Sequence, residues 1–225
     1  MLIDGVRVVR VCAWLQAPIF AHVRPPHTPR LKRALSEKNM IQMYGDIEVE
    51  IRDEPTYSIN STDNLRSYKN EYIRDQSETH YSAAHGISTQ EYELPISSAI
   101  VLGQGGATGV HNDSCAYDGT SLYVAAGDSV YSLSLPMLDL NWAVRVDRAT
   151  CFGVFWLDRL GYLLTWGELS IGSYSVDGEE LWSATGADVF SEELELKNQK
   201  AMVTDFNGHV YKIDLISGKI SREST

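Results

Sequence analysis

The sequence predicts an all-β fold assembled from short four-stranded antiparallel sheets, and three observations predict it. The first is a repeat with a period near 40 residues through the C-terminal half. Trp142 and Trp182 lie 40 apart, and Val130 and Val210 lie 80 apart. The second is the alternation of short apolar runs with Gly-containing turns inside each repeat. The third is the aromatic content, with 12 Tyr and 5 Trp among 225 residues, which strands favour. Four short strands in about 40 residues make one propeller blade. The architecture expected is therefore a small or incomplete β-propeller.

The strands follow in order. Ile47, Val49 and Ile51 alternate with Glu48, Glu50 and Arg52, the period of a half-buried strand. Residues 53–80 are polar and weakly periodic, and Tyr68 and Tyr72, four apart, suggest a short helix or an irregular insert. Residues 81–104 align with the latter half of the next repeat and read as part of a diverged blade. Three fuller repeats follow near 111–147, 150–186 and 189–225. In the middle one, strands are expected at Cys151–Leu157, Tyr162–Trp166, Leu169–Val176 and Leu181–Ala184. Asp118-Gly119, Asp177-Gly178 and Asn207-Gly208 supply the positive φ that tight hairpins need. Since the last repeat has nothing after it to close a ring, the strand at Ile47–Ile51 is expected to pair with that last blade.

These residues resemble the repeat of quinoprotein-like β-propellers, the PQQ-like repeat. The resemblance rests on Gly208, Val210, Tyr211, Ile213, Asp214 and Gly218 in the last repeat. Tyr174, Asp177, Gly178 and Trp182 carry it in the middle one, and Tyr131, Leu133 and Trp142 in the first. It implies blades capped by Trp142 and Trp182, which stack between neighbours. Quinone-binding members carry adjacent cysteines and acidic calcium ligands. Cys12, Cys115 and Cys151 are far apart, so neither quinone nor calcium is expected. Ser175 to Trp182 nearly matches the Asp-box of sialidases, but its Gly falls one place early and few arginines are available to grip a sugar carboxylate.

Charge divides the chain. Residues 1–40 hold seven bases (Arg7, Arg10, Arg24, Arg30, Lys32, Arg33, Lys38) against Asp4 and Glu37, whereas the whole chain carries −11. A boundary near Met40 follows. Residues 1–40 read as a disordered, targeting or spurious extension, and 41–225 as the repeat domain. The acidic body argues against nucleic-acid binding, and no run of 18 apolar residues suggests a membrane span. Three thiols without CxxC spacing fit reduced cysteines in a cytoplasmic protein.

Candidate chemistry is sparse. Gly103-Gln104-Gly105-Gly106-Ala107-Thr108-Gly109 lacks both the helix and the lysine of a nucleotide loop. It reads as a connection between blades, with Gly105, Gly106 and Thr108 as candidate ligands for a small anion. His111, Asp113 and Cys115 alternate and would share one face of a strand lining the channel, though side chains at such spacing stand about 7 Å apart, too far for a relay. They are nevertheless the catalytic candidates, for a hydrolase or lyase. His85 and His209 are expected at exposed hairpin turns, and Glu192, Glu193 and Glu195 on a solvated strand end. No cofactor and no metal is expected. The function expected is a non-enzymatic binding or scaffold module that engages a protein partner or itself. A partial module of a larger quinoprotein-like assembly is a further alternative.

Overall fold

The computed structural model describes residues 2–3, 6–7, 39–77 and 80–223, and every regular element among them is a strand. A two-residue ladder joins β1 (Leu2–Ile3) to β2 (Val6–Arg7). The rest of the expectation for residues 1–40 lies outside the described residues, except that Asn39 and Met40 open a strand of the body.

Four sheets follow, each a meander. Blade 1 comprises β3 (Asn39–Tyr44), β4 (Ile47–Asp53), β6 (Ala83–Glu91) and β7 (Leu94–Gly103), with β5 (Asn70–Ile73) added beside β7 in parallel. Blade 2 runs β8 (Cys115–Tyr117), β9 (Ser121–Ala126), β10 (Ser129–Ser134) and β11 (Leu140–Arg145). Blade 3 runs β12 (Cys151–Leu157), β13 (Tyr162–Gly167), β14 (Ile171–Tyr174) and β15 (Glu180–Ala184). Blade 4 runs β16 (Glu195–Lys197), β17 (Lys200–Thr204), β18 (Val210–Asp214) and β19 (Ile220–Arg222). The four strands expected of the middle repeat are therefore all present.

Burial explains the order. Blades 2 and 3 are apolar on both faces, because each is sandwiched. In β9, Leu122, Val124 and Ala126 join the core shared with blade 1, while Tyr123 and Ala125 join the core shared with blade 3. In β12, Val154 and Trp156 face blade 2, and Phe155 and Leu157 face blade 4. A strand buried on both faces reads as a continuous apolar run, which is how Leu122 to Ala126 reads.

The end blades solve their outer faces differently. On blade 1, Ala84, Ile100 and Leu102 are covered by Tyr57, Ile59, Tyr68, Ile73 and Tyr81 of residues 54–82. The possible helix at Tyr68 and Tyr72 is absent. The segment is irregular apart from β5, and Tyr68 lies so close over Gly86 that a Cβ there would stand 1.8 Å from its hydroxyl. On blade 4, Ala201, Val203, Tyr211 and Ile213 face blade 3, but the opposite face carries Lys200, Met202, Lys212 and Asp214. Lys200 pairs with Asp214 at 3.4 Å, and Lys212 pairs with Glu223.

The expected ring closure is overturned. The strand at Ile47–Ile51 lies between β3 and β6, where Ile51 opposes Met40 and Ile87. Val49 and Ile51 are buried in the core between blades 1 and 2. The one apolar row of blade 4 is already buried against blade 3, and its outer face is charged. The described blades form an open arc.

Adjacent blades are stitched on the outside by tryptophan. Trp142 and Trp182 occupy equivalent places in β11 and β15, as expected, although both are half-buried rather than fully buried. Each indole lies over a glycine of the next blade's last hairpin. A Cβ on Gly178 would meet Trp142 at 2.9 Å, and one on Gly218 would meet Trp182 at 2.6 Å. At the linker end of the seam Asp147, between blades 2 and 3, accepts hydrogen bonds from the N–H groups of Ala149, Thr150, Leu169 and Ser170 and from Ser170 Oγ.

Two tests follow from this stitching. Gly208 and Gly218 both have positive φ, but only Gly218 sits under an indole. Gly208→Ala is expected to cost about 1 kcal/mol of backbone strain, and Gly218→Ala roughly 2–3 kcal/mol because Trp182 must also move, as read by denaturant unfolding. Asp147→Ala strands several buried N–H donors and is expected to cost about 3 kcal/mol or more in the same assay.

Candidate functional site

The sequence candidates do not come together. His111 and Asp113 lie in the turn before β8, and only Cys115 is in the strand. The expected row along one strand face is thus not formed. His111 is exposed, and its Nδ1 accepts the backbone N–H of Asp113 at 3.3 Å. Cys115 is buried, with Sγ 3.7 Å from the Tyr44 hydroxyl. The turn exists because Ser114 closes it: its N–H bonds His111 O at 3.0 Å, and its Oγ accepts the His111 N–H at 2.9 Å.

The glycine-rich run is a blade connection, as expected. Its backbone comes too close to the next blades for side chains. A Cβ on Gly105 would fall 1.9 Å from Ala149 O, and one on Gly106 2.1 Å from Thr150 Oγ1. Gly106 donates its N–H to Ala149 O at 3.1 Å, and Thr108 Oγ1 accepts the Gly127 N–H at 3.0 Å. These groups are turned toward protein partners.

His85 corrects its reading as an exposed turn residue. It sits inside β6, fully buried, with Nε2 donating to Thr108 O at 3.1 Å. Burial holds its pKa below the ordinary histidine value, so it is neutral at pH 7. The sequence hid this because Ala83 to Ile87 reads as a weak apolar run broken by His85 and Gly86. His209 does occupy a turn, with Nδ1 3.1 Å from Asp205 Oδ2. Glu192, Glu193 and Glu195 are exposed, as expected. Among the described residues no group of three His, Cys, Asp or Glu side chains is placed to hold a metal.

What the fold does assemble is a rim. In a four-stranded meander the first and third hairpins lie at one end of the blade, and the second hairpin and the linkers lie at the other. Eight of the eleven exposed large hydrophobic residues among those described belong to the first of these ends. They are Met43, Tyr92 and Leu94 in blade 1, Met137 and Leu140 in blade 2, Val176 and Leu181 in blade 3, and Ile216 in blade 4. Exposure runs from 38% at Leu140 to 76% at Tyr92. Met137, Val176 and Ile216 repeat at nearly the period of the blades. The signal was present in the sequence as an apolar residue inside an otherwise polar turn, but it acquires meaning only when the turns are known to share an end.

Hydrogen bonds at two of the three junctions tie neighbouring hairpins of the rim together. Ser97 Oγ donates to Met137 O at 2.7 Å between blades 1 and 2, and Trp142 Nε1 donates to Val176 O at 2.7 Å between blades 2 and 3. The second junction opens into a cleft of about 610 Å³, lined by Asp118, Tyr123, Asn141, Trp142, Val176 and Asp177 among others. The Tyr123 and Trp142 rings are 5.7 Å apart, centroid to centroid. Asp118 accepts hydrogen bonds from Thr120 N, Thr120 Oγ1, Ser121 N and the Tyr123 hydroxyl. Burial works against its charge, but those hydrogen bonds outweigh it and hold the carboxyl below the usual carboxylate range.

With this geometry in place, the class is clear: the fold is an arc of a β-propeller of the PQQ-repeat-like kind. Among solved structures, the chain is similar to BamB from Moraxella catarrhalis, with a TM-score of 0.50 and 11% identity over 82% of this chain and 50% of that one. It is also similar, at a TM-score of 0.35 and 16% identity, to Myxococcus xanthus glutaminyl cyclase, over 60% of this chain and 59% of that one. The chain therefore spans only about half of the length of these structures. No family model matches the sequence, and no curated protein does.

His85 supplies a pH test. The unfolded chain binds a proton at this residue near pH 6.5, whereas the buried imidazole resists it. Below about pH 6.5 the unfolded state therefore binds more protons and stability falls, with a slope approaching 1.4 kcal/mol per pH unit, about one proton's worth. His85→Leu is expected to flatten that slope between about pH 6.5 and 5, as read by urea unfolding at each pH.

Proposed function

We propose that the chain is a non-enzymatic binding module, in a cytoplasmic setting, that holds a protein partner on the hairpin end of its propeller arc. The observation that carries this reading is the concentration of exposed apolar side chains at that end. Scattered singly, such residues need no explanation; gathered on one rim, they mark a surface that is covered in use. A repeated fold suits the role, because each blade offers a further hairpin to the same partner.

The setting draws support from Cys151, which is free and buried. Burial pushes the Cys151 thiol far up, so it is a poor nucleophile. The likeness to BamB supports the architecture, and its half-length coverage leaves room for the chain to act as a partial module of a larger assembly. The charged outer face of blade 4 weighs against another blade packing there.

The test is a comparison of the two ends. A photo-crosslinking residue at Val176 or Ile216 is expected to yield protein adducts about ten-fold above the same residue at Phe206, which is exposed on the opposite end. With the crosslinker at Ile216, Val176→Glu with Leu181→Glu should remove the adducts without moving the unfolding temperature. Equal yields from both ends would overturn the reading.

A further inference from the structure

We infer that the segment docked on this rim is basic as well as apolar, and that it places a lysine or arginine side chain in the cleft between blades 2 and 3. The inference rests on the protein-binding reading above and specifies its partner. Two features carry it.

The first is the charge of the hairpins that hold the apolar residues. Asp46 and Glu93 belong to blade 1, Asp118 and Asp139 to blade 2, and Asp158, Asp177 and Glu179 to blade 3. Against these seven acids the same hairpin loops hold only Arg159 and Lys219. An apolar band edged with carboxylates complements a segment that alternates apolar and cationic residues. It disfavours other occupants. An anionic membrane surface or a nucleic acid would meet like charge, and a second copy of this rim would set acids against acids.

The second feature is the cleft itself. Trp142 forms a half-exposed indole wall, and its ring nitrogen is already spent on Val176 O. One face of the ring lies over Gly178, and the rest of the indole lines the cleft. Asp118 on one side has its carboxylate fixed by four donors, so its charge is in place before anything arrives. Asp177 stands exposed on the opposite lip. An exposed indole and Val176 beside two carboxylates suit a cation on an aliphatic stem. The stem packs on Val176 and Trp142, and the charged head reaches the acids. Arginine suits the geometry better than lysine, since its planar fork offers several donors to the two carboxylates at once. The equivalent junction between blades 3 and 4 keeps Trp182 but has Leu181 for Asn141 and Ser217 for Asp177. This set of lining residues is therefore particular to one seam.

The probe is a synthetic peptide of about twelve residues alternating leucine and arginine, long enough to cross several hairpins in extended form. Its comparators are a leucine–glutamine peptide of equal length and an oligoarginine. Binding is followed by calorimetry on the full chain. The leucine–arginine peptide is expected to bind about ten-fold more tightly than either comparator. Asp177→Asn should weaken it about five-fold, as a lost charge-assisted contact. Neutralising two acids at the other end, Asp188→Asn with Glu192→Gln, should change nothing. Asp118→Asn is read only alongside its unfolding temperature, because Asp118 also holds its own turn, and Asp177→Asn decides the matter if that variant is unstable.

Equal binding of the leucine–glutamine peptide or of oligoarginine would overturn the inference, as would an equal loss from the opposite-end variant. If end-selective crosslinks at Val176 persist while Asp177→Asn binds the peptide normally, the basic partner is wrong and the protein-binding reading stands. If the crosslinks themselves show no preference for the rim, that reading has failed first. An intramolecular crosslink from Val176 to residues 7–38 would give the rim to the chain's own basic segment, and self-association at working concentration would give it to a second copy. Either result overturns the inference.

Discussion

Each internal blade must bury two faces, and the rest of the molecule follows from that requirement. A four-stranded sheet with apolar side chains on both sides is stable only between two neighbours. Tyr123 and Val124 are adjacent in sequence and lie in different cores, as do Trp156 and Leu157. Neither blade 2 nor blade 3 can be removed without exposing a complete apolar face. The arc thus holds three interblade cores in series, and what varies along it is how the outermost faces are finished. Blade 1 uses a tyrosine-rich insertion, whereas blade 4 uses paired charges.

The same requirement sets where the hairpins point. Stacking fixes each blade's tilt, and the tryptophan-over-glycine contact fixes how far its outer strand stands from the next. The rim is a by-product of this regularity. Because blades superpose, an apolar residue at one position of the last hairpin recurs beside its equivalent in the next blade. Met137, Val176 and Ile216 form such an exposed series through no special device beyond the repeat.

Much of this was legible in the sequence, for identifiable reasons. The period near 40, the Asp-Gly and Asn-Gly turns and the paired tryptophans are local signals, and they located the strands of blades 2 to 4 closely. Blade 1 was legible only in part, because residues 54–82 interrupt its meander between β4 and β6 and destroy the spacing. That interruption also explains the misplaced closure. Ile47 to Ile51 looked unattached when its partners, Ala83 onward, lay beyond a polar stretch. His85 escaped notice because its burial is decided by Thr108, more than twenty residues away. The cleft beside Trp142 depends on two turns from different blades, and no spacing along the chain brings Asp118 and Asp177 together.

The finish on blade 4 has a consequence for how such a chain can change over generations. Tandem duplication lengthens a repeat array only where the new unit finds an apolar face to lie against. Lys200, Lys212 and Asp214 deny it one, so a blade copied onto that end would hang loose and be lost. The insertion over Ala84, Ile100 and Leu102 does the same at the other end. Growth is open only in the interior, by copying a two-faced blade between blades 2 and 3. A lengthened relative of this chain should therefore keep both terminal blades recognisable and differ in how many units like residues 151–184 stand between them.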